Sequence, residues 1–241
     1  METRGGVRAL LSGYGLGLGG AALALVLTGV GLFAAGAVGL AGTTAQRFLL
    51  VFVLGQYLPF LGLPLVYFRA RGMDARAIRR YLGVRLPSLR ELGVVVAGLF
   101  GILVLASAAS AVVGALGLEP ATNSAATQAQ QSPELIPLLV AAMFLVVAPC
   151  EETLFRGTVQ NRLREAFPAT VAIPLTAALF AAVHYVALVP GSGSRLVTVV
   201  VLFVPSLVFG AIYEYTDNLL VPIGTHALWN SLLLVSILVA G

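Results

Sequence analysis

Seven stretches of this chain, at about 9–40, 48–68, 92–118, 135–160, 169–189, 196–213 and 219–239, are apolar over most of their length. A helix needs roughly 20 apolar residues to cross a bilayer. The pattern therefore predicts an all-α fold: a polytopic transmembrane helix bundle of 7–8 spans, forming a single integral membrane domain over 1–241. Only 10% of the residues are charged, where a soluble domain carries about 25%. The first stretch is long and rich in glycine, which leaves it open to tilting, breaking or forming two short helices. Its apolar run far exceeds the roughly 7–15 residues of a signal-peptide core, so it does not read as a cleavable leader.

The 14 basic residues are all arginine, and their placement gives an orientation by the positive-inside rule. With seven spans and a cytoplasmic N-terminus, the cytoplasmic side receives Arg4 and Arg8, the seven arginines of the loop 69–91, and Arg156, Arg162 and Arg164. Only Arg47 and Arg195 fall on the other side. The expected setting is a cell membrane, with lipid as a partner. The net charge of +4 reflects this topology and implies no nucleic acid. In the loop 69–91 the arginines read as topology determinants lying against anionic headgroups, each worth about 1 kcal/mol. The loop 119–133 is polar and rich in small residues; no function is assigned to it.

Within this apolar frame some residues are costly. An ionisable side chain at mid-membrane costs roughly 2.5–3.5 kcal/mol on insertion scales. The stretch "APCEETLFRG", 148–157, carries Glu151, Glu152 and Arg156. Glu152 and Arg156 stand four apart with the acid N-terminal, the favourable order for a helical ion pair. Glu151 has no such partner and points about 100° away round the helix. A carboxyl group without a cation in an apolar setting is suited to general-base work near neutral pH. If the helix runs on to Arg164, Glu151 lies 13 residues above that end, about 20 Å. A following helix that starts at Pro168 puts His184 about 24 Å up, so the two meet at similar depth.

Phe180 with His184, and His226 with Asn230, share the four-residue spacing that places side chains on one helical face. Any one of these polar residues alone reads as interhelical glue. Together, Glu151, Glu152, Arg156, His184, His226 and Asn230 form a candidate functional site, because so many costly groups need a common destination. Cys150 is the single cysteine and reads as a packing residue. Trp229 reads as packing or an interface anchor. Glu214 and Asp217 read as cytoplasmic loop residues, with Glu214 also open to lining the cavity.

Several chemistries are excluded. The H-E-x-x-H zinc motif is absent, and two histidines cannot make a three-His zinc site. The only aspartates, Asp74 and Asp217, fall in loops, and no lysine exists for a Ser–Lys dyad. What remains is a carboxylate and an imidazole to polarise water, with an imidazole and an amide to receive an oxyanion. The same Glu151, His184 and His226 could instead ligate one divalent metal such as zinc, as a His₂Glu set does.

In order along the chain, "EETLFR" (151–156) fits EExxxR, "FAAVH" (180–184) fits FxxxH and "HALWN" (226–230) fits HxxxN. This resembles the CPBP (CAAX protease and bacteriocin-processing, Abi-type) family of intramembrane proteases, which includes the Ras-converting type-2 CAAX endopeptidase. The resemblance covers the motif-bearing core, 135–241, and leaves 1–134 as N-terminal helices without motifs. It implies a hydrolase in which Glu151 and His184 activate water and His226 and Asn230 form the oxyanion hole. Glu152, Arg156 and Phe180 would support them. No cofactor is required on this reading, and the implied partner is a peptide or lipidated protein substrate, reached through a cavity that opens to the cytoplasm. Type-2 enzymes have about eight membrane helices, against the seven counted here. The all-arginine, Ala/Gly/Val-rich composition suggests a GC-rich prokaryotic genome, which weakens a prenyl-protein assignment. A non-catalytic scaffold or immunity-type protein, and a proton-coupled transporter, are the competing readings.

Overall fold

The computed structural model describes residues 2–40 and 42–240. Among the described residues, seven helices are long and apolar enough to span a membrane. In chain order the elements are α1 (Gly5–Ala37), α2 (Gln46–Ala70), a short α3 (Ala75–Tyr81), α4 (Leu89–Ala115), a short α5 (Ser124–Gln131), α6 (Pro133–Arg164), α7 (Ala169–Ala187), α8 (Arg195–Thr216) and α9 (Leu220–Leu238). The bundle is all-helical, as expected.

The Gly-rich first segment is one unbroken helix. Its glycines serve contact: a Cβ at Gly20 would come within 2.9 Å of Leu154 Cδ2. Small residues allow such close approach where lipid supplies no hydrophobic drive between helices. α6 is the central element, packed against α1, α2, α7, α8 and α9. Every residue from Cys150 to Gln160 is buried. One core cluster surrounds it, with Phe60, Leu154, Phe155, Val159, Leu179 and Phe180.

Prolines shape the two helices that bound the site. Pro59 in α2 and Pro149 in α6 lack an N–H and displace the carbonyl one turn back. α2 relaxes to π geometry over Val53–Gly62, and α6 does so over Met143–Val147 and Phe155–Gln160, on either side of Glu151 and Glu152. Pro149 leaves the Leu145 carbonyl without its helical donor. Tyr57 repairs this from α2, donating its hydroxyl to Leu145 O at 2.9 Å. Such π-turns inside α-helices concentrate at functional sites.

The two ends of the bundle differ. One carries the 71–88 loop and the α6–α7 and α8–α9 turns. Here Arg71 and Arg162 both pair with Glu165, at 2.7 and 2.6 Å, and Arg164 pairs with Glu214 at 2.9 Å. Burial pushes the Glu165 carboxyl up, but hydrogen bonds from Arg71 and Tyr81 outweigh it and hold the group below its ordinary value. Glu214 thus sits in a surface ion pair near the end of α8 and does not line the cavity. Arg156, counted with this end on sequence, is instead buried in the bundle interior. The Arg4 side chain lies outside the described part. The opposite end holds the polar 119–133 segment, which is folded: Val189 N–H donates to Thr122 O at 2.9 Å, and Ser194 N–H to Glu119 O at 2.7 Å. This pins α5 against the α7–α8 turn.

Candidate active site

α6 does run on to Arg164, and the depth match holds: Glu151 Oε2 lies 3.8 Å from His184 Nε2. α9 brings His226 Nε2 to 3.9 Å from the same carboxylate oxygen. The cluster expected from spacing is thus assembled from three helices.

Two compartments can be told apart within it. The inner one is a nearly closed knot, in which Glu152 Oε2 and Arg156 Nε alone lack a partner. Glu152 Oε1 accepts from Arg156 Nη1 at 2.9 Å and from His226 Nδ1 at 2.7 Å. Arg156 also donates through Nη2 to Ser206 O and Oγ, at 2.9 and 2.7 Å. The Arg156 guanidinium lies over Phe180 at 4.7 Å and over Phe209 at 5.3 Å, so its faces meet aromatic π-systems and its edges meet oxygen. Phe209 stacks on the His226 ring at 4.7 Å. Phe180, expected beside the site, therefore contacts Arg156 and His184 together. Ser206 and Phe209 lie in no recognisable pattern, and the sequence gives no signal for either.

The outer compartment is open. His184 begins a 3₁₀ turn, His184–Ala187, at the end of α7. Its Nδ1 lies 2.6 Å from Phe180 O. A carbonyl only accepts, so that nitrogen carries the hydrogen and Nε2 presents a lone pair. The same logic applies to His226, whose Nδ1–H donates to the Glu152 carboxylate. The His184 Nε2 lone pair then faces Glu151, and the His226 one is taken up by Asn230. Asn230 Nδ2 donates to His226 Nε2 at 3.0 Å, and its other hydrogen has only the weak acceptor Met143 Sδ, at 3.7 Å. Glu151 itself is 6% exposed and makes no hydrogen bond to the protein shorter than these long approaches.

A cavity of about 520 Å³ reaches this cluster, walled by Glu151, His184 and Asn230 and by Phe48, Gln56 and Gln128. A narrower apolar recess of about 190 Å³ adjoins it across His184 and Asn230, and runs between α8 and α9 past Leu202, Trp229 and Leu233. Trp229 is therefore a recess-wall residue. Cys150 is fully buried in the core beside α1, in keeping with packing. The larger cavity leads out past Arg47 and Ser124, at the end opposite the arginine-rich loop. Mouth and arginines thus lie at opposite ends, so the cytoplasmic opening and the arginine-based orientation, both expected on sequence, do not hold together.

No group of three His, Cys, Asp or Glu among the described residues is placed to hold a metal ion. The separations of 3.8 and 3.9 Å from Glu151 to the imidazoles exceed the roughly 3.3–3.4 Å between ligand atoms of a tetrahedral zinc.

Fold and site together define a polytopic helical membrane protein with a Glu–His–His–Asn cluster opening on a cavity. Residues 133–232 match the family model described as Type II CAAX prenyl endopeptidase Rce1-like. The segment that carries all three motifs is thus similar to the type II CAAX endopeptidase family. The match covers 100 of the 241 residues and leaves α1 to α5 outside it. No curated protein and no solved structure matches the chain.

Proposed function

We propose that this chain is an intramembrane endopeptidase that hydrolyses a peptide bond of a membrane-associated substrate. The substrate is a CAAX-type prenyl-protein or another lipid-anchored or membrane peptide, and the nucleophile is a water activated by Glu151 and His184. The carrying observation is the convergence of Glu151 Oε2 with the Nε2 atoms of His184 and His226, at 3.8 and 3.9 Å. Asn230 satisfies His226, which leaves Glu151 and His184 as facing acceptors in need of a donor. A water within reach of both supplies hydrogens to them, and polar groups farther apart than about 3.5 Å commonly share one.

In the reaction Glu151 takes a proton from that water as its oxygen bonds to the scissile carbonyl carbon. The carbonyl oxygen becomes an oxyanion and is received by the Asn230 N–H that otherwise rests on Met143 sulfur. Where His226 enters the cycle as imidazolium, with Nδ1–H held by Glu152, its Nε2–H donates to the same oxygen and that proton stays on the ring throughout. The proton carried by Glu151 or His184 then passes to the amide nitrogen, and the C–N bond breaks. The apolar recess between α8 and α9 suits a prenyl or acyl chain, or an apolar side chain, next to the cleaved bond.

The testing experiment is turnover of a fluorogenic prenylated CAAX peptide by purified protein in lipid, wild type against Glu151→Ala. Cleavage that falls by about 10²–10⁴-fold in a variant with unchanged melting supports the assignment. Equal rates in both proteins would remove Glu151 from catalysis and sink it.

For orientation, the arginine-rich end is assigned to the cytoplasm and the cavity mouth to the opposite face. In intact cells an impermeant maleimide should label Gln128→Cys and spare Arg76→Cys, the native Cys150 being buried. The reverse labelling would invert the protein in its membrane.

A further inference from the structure

Among the unpartnered buried polar atoms outside the motif residues, on Gln56, Gln160, Thr176 and Ser231, that of Gln56 belongs to a residue lining the catalytic cavity. Gln56 sits in the π-turn of α2, and its Oε1 is fully buried with no hydrogen-bond partner in the protein. It lines the same cavity as Glu151, His184 and Asn230, on the wall across from α9. Its neighbours in sequence hold it there. Gly55 lets α2 press on α1, where a Cβ would meet Thr28 Oγ1 at 2.8 Å. Tyr57 is tied to the Leu145 carbonyl of α6. These two anchors hold Gln56 at the cavity wall, half-buried and with its amide oxygen unpaired at the cost of stability. Residues 48, 52 and 56 follow each other at four-residue spacing and share one face. The amide is thus the polar end of a wall otherwise made by Phe48 and Phe52.

We infer that Gln56 is a substrate-binding residue whose side-chain amide pairs with the backbone of an extended peptide lying in the cavity between α2 and α9. The inference rests on the proteolytic reading above. A primary amide offers an acceptor and a donor side by side, which matches the N–H and C=O of a peptide unit as a neighbouring strand would. A peptide so held is fixed from both sides: Gln56 grips its backbone from α2, and Asn230 receives the reacting carbonyl from α9. Phe48, Val51, Phe52, Leu139 and Val147 surround it with hydrocarbon, so the bound segment carries apolar side chains.

The experiment compares wild type with Gln56→Met and Gln56→Leu in lipid, using the fluorogenic prenylated CAAX peptide. Expected are a rise in KM of about three- to tenfold with kcat within about twofold, the loss of one neutral hydrogen bond. The melting temperature should stay equal or rise, because an orphan acceptor has been removed. A fall in melting temperature in both variants would make Gln56 structural and overturn the inference. An unchanged KM would mean that the oxygen serves only water, and would overturn it too. Binding of the same peptide to Glu151→Ala protein, with and without Gln56→Met, gives a readout that needs no turnover. Weaker binding by a similar factor supports the role, and equal binding rejects it. Absence of cleavage by the wild type would count against the proteolytic reading alone, with the binding and melting arms still deciding on Gln56.

Discussion

Glu151 and Glu152 are adjacent in sequence, yet they belong to regions with opposite logic. Around Glu152, carboxylate, guanidinium, hydroxyl, carbonyl and imidazole close on one another, and Glu152 and Arg156 are both fully buried. Around Glu151 the groups face each other at 3.8 and 3.9 Å, without direct hydrogen bonds, beside a cavity. A helix turns by about 100° per residue, so one step along α6 moves the side chain from the interior of the bundle to the cavity wall. The closed region holds charge that would otherwise be too costly in hydrocarbon. Unlike the sealed Glu152 Oε2, the acceptors left unsatisfied in the open one lie where the cavity reaches them, a liability for folding and a resource for moving protons. A scaffold has use for the first region and none for the second.

The largest expected effect breaks the closed region. Arg156→Met removes the cation and leaves Glu152 buried with only His226 as partner. Removing one member of a buried ion pair costs about 3–5 kcal/mol, mostly as the uncompensated charge left behind. The melting temperature in lipid or detergent should collapse, and activity should go with it. The double variant Arg156→Met with Glu152→Gln should recover part of the stability, since no lone charge remains. If Arg156→Met melts like the wild type, the closed knot is not a stability element and the contrast between the two glutamates fails.

How much of this was legible beforehand follows from the same contrast. Span number, the continuity of α6 through Arg164 and the meeting of Glu151 with His184 could be read because helical rise converts residue counts into depth. The Glu152–Arg156 pair was legible from four-residue spacing. The partners of that pair were not: Ser206 and Phe209 sit 50 or more residues away on α8, and which face of α8 meets α6 is decided by packing. Gln56 was equally hidden, because the π-turn that aims it arises from Pro59 and from the Tyr57 contact to a carbonyl freed by Pro149. The end at which the cavity opens was not legible, because the arginine distribution bears on which end faces the cytoplasm, whereas the mouth depends on where α5 and the α7–α8 turn leave a gap. Arg156 was counted with the surface arginines, although its i,i+4 acid marks it as part of the interior.

A smaller effect sharpens the comparison from the open side. Asn230 is half-buried on α9 and holds two weakly committed hydrogens, one on His226 Nε2 at 3.0 Å and one toward Met143 Sδ at 3.7 Å. A thioether is a poor acceptor, so that hydrogen is given up readily to a developing oxyanion. Asn230→Ala should lower kcat by about 10²–10³-fold, the range seen for loss of one oxyanion donor, with KM little changed. Its melting temperature should move far less than that of Arg156→Met, because the lost bonds are neutral and at the cavity wall, worth about 1 kcal/mol. Asn230→Asp keeps the shape and removes the donors, and should be as slow as the alanine variant if donation is what matters. Activity retained by Asn230→Asp would mean that the side chain acts by shape or by seating His226, and the oxyanion would then have to be received by His226 alone. A loss of stability comparable to Arg156→Met would place Asn230 in the closed region, and the boundary between holding charge and reacting with substrate would lie elsewhere on α9.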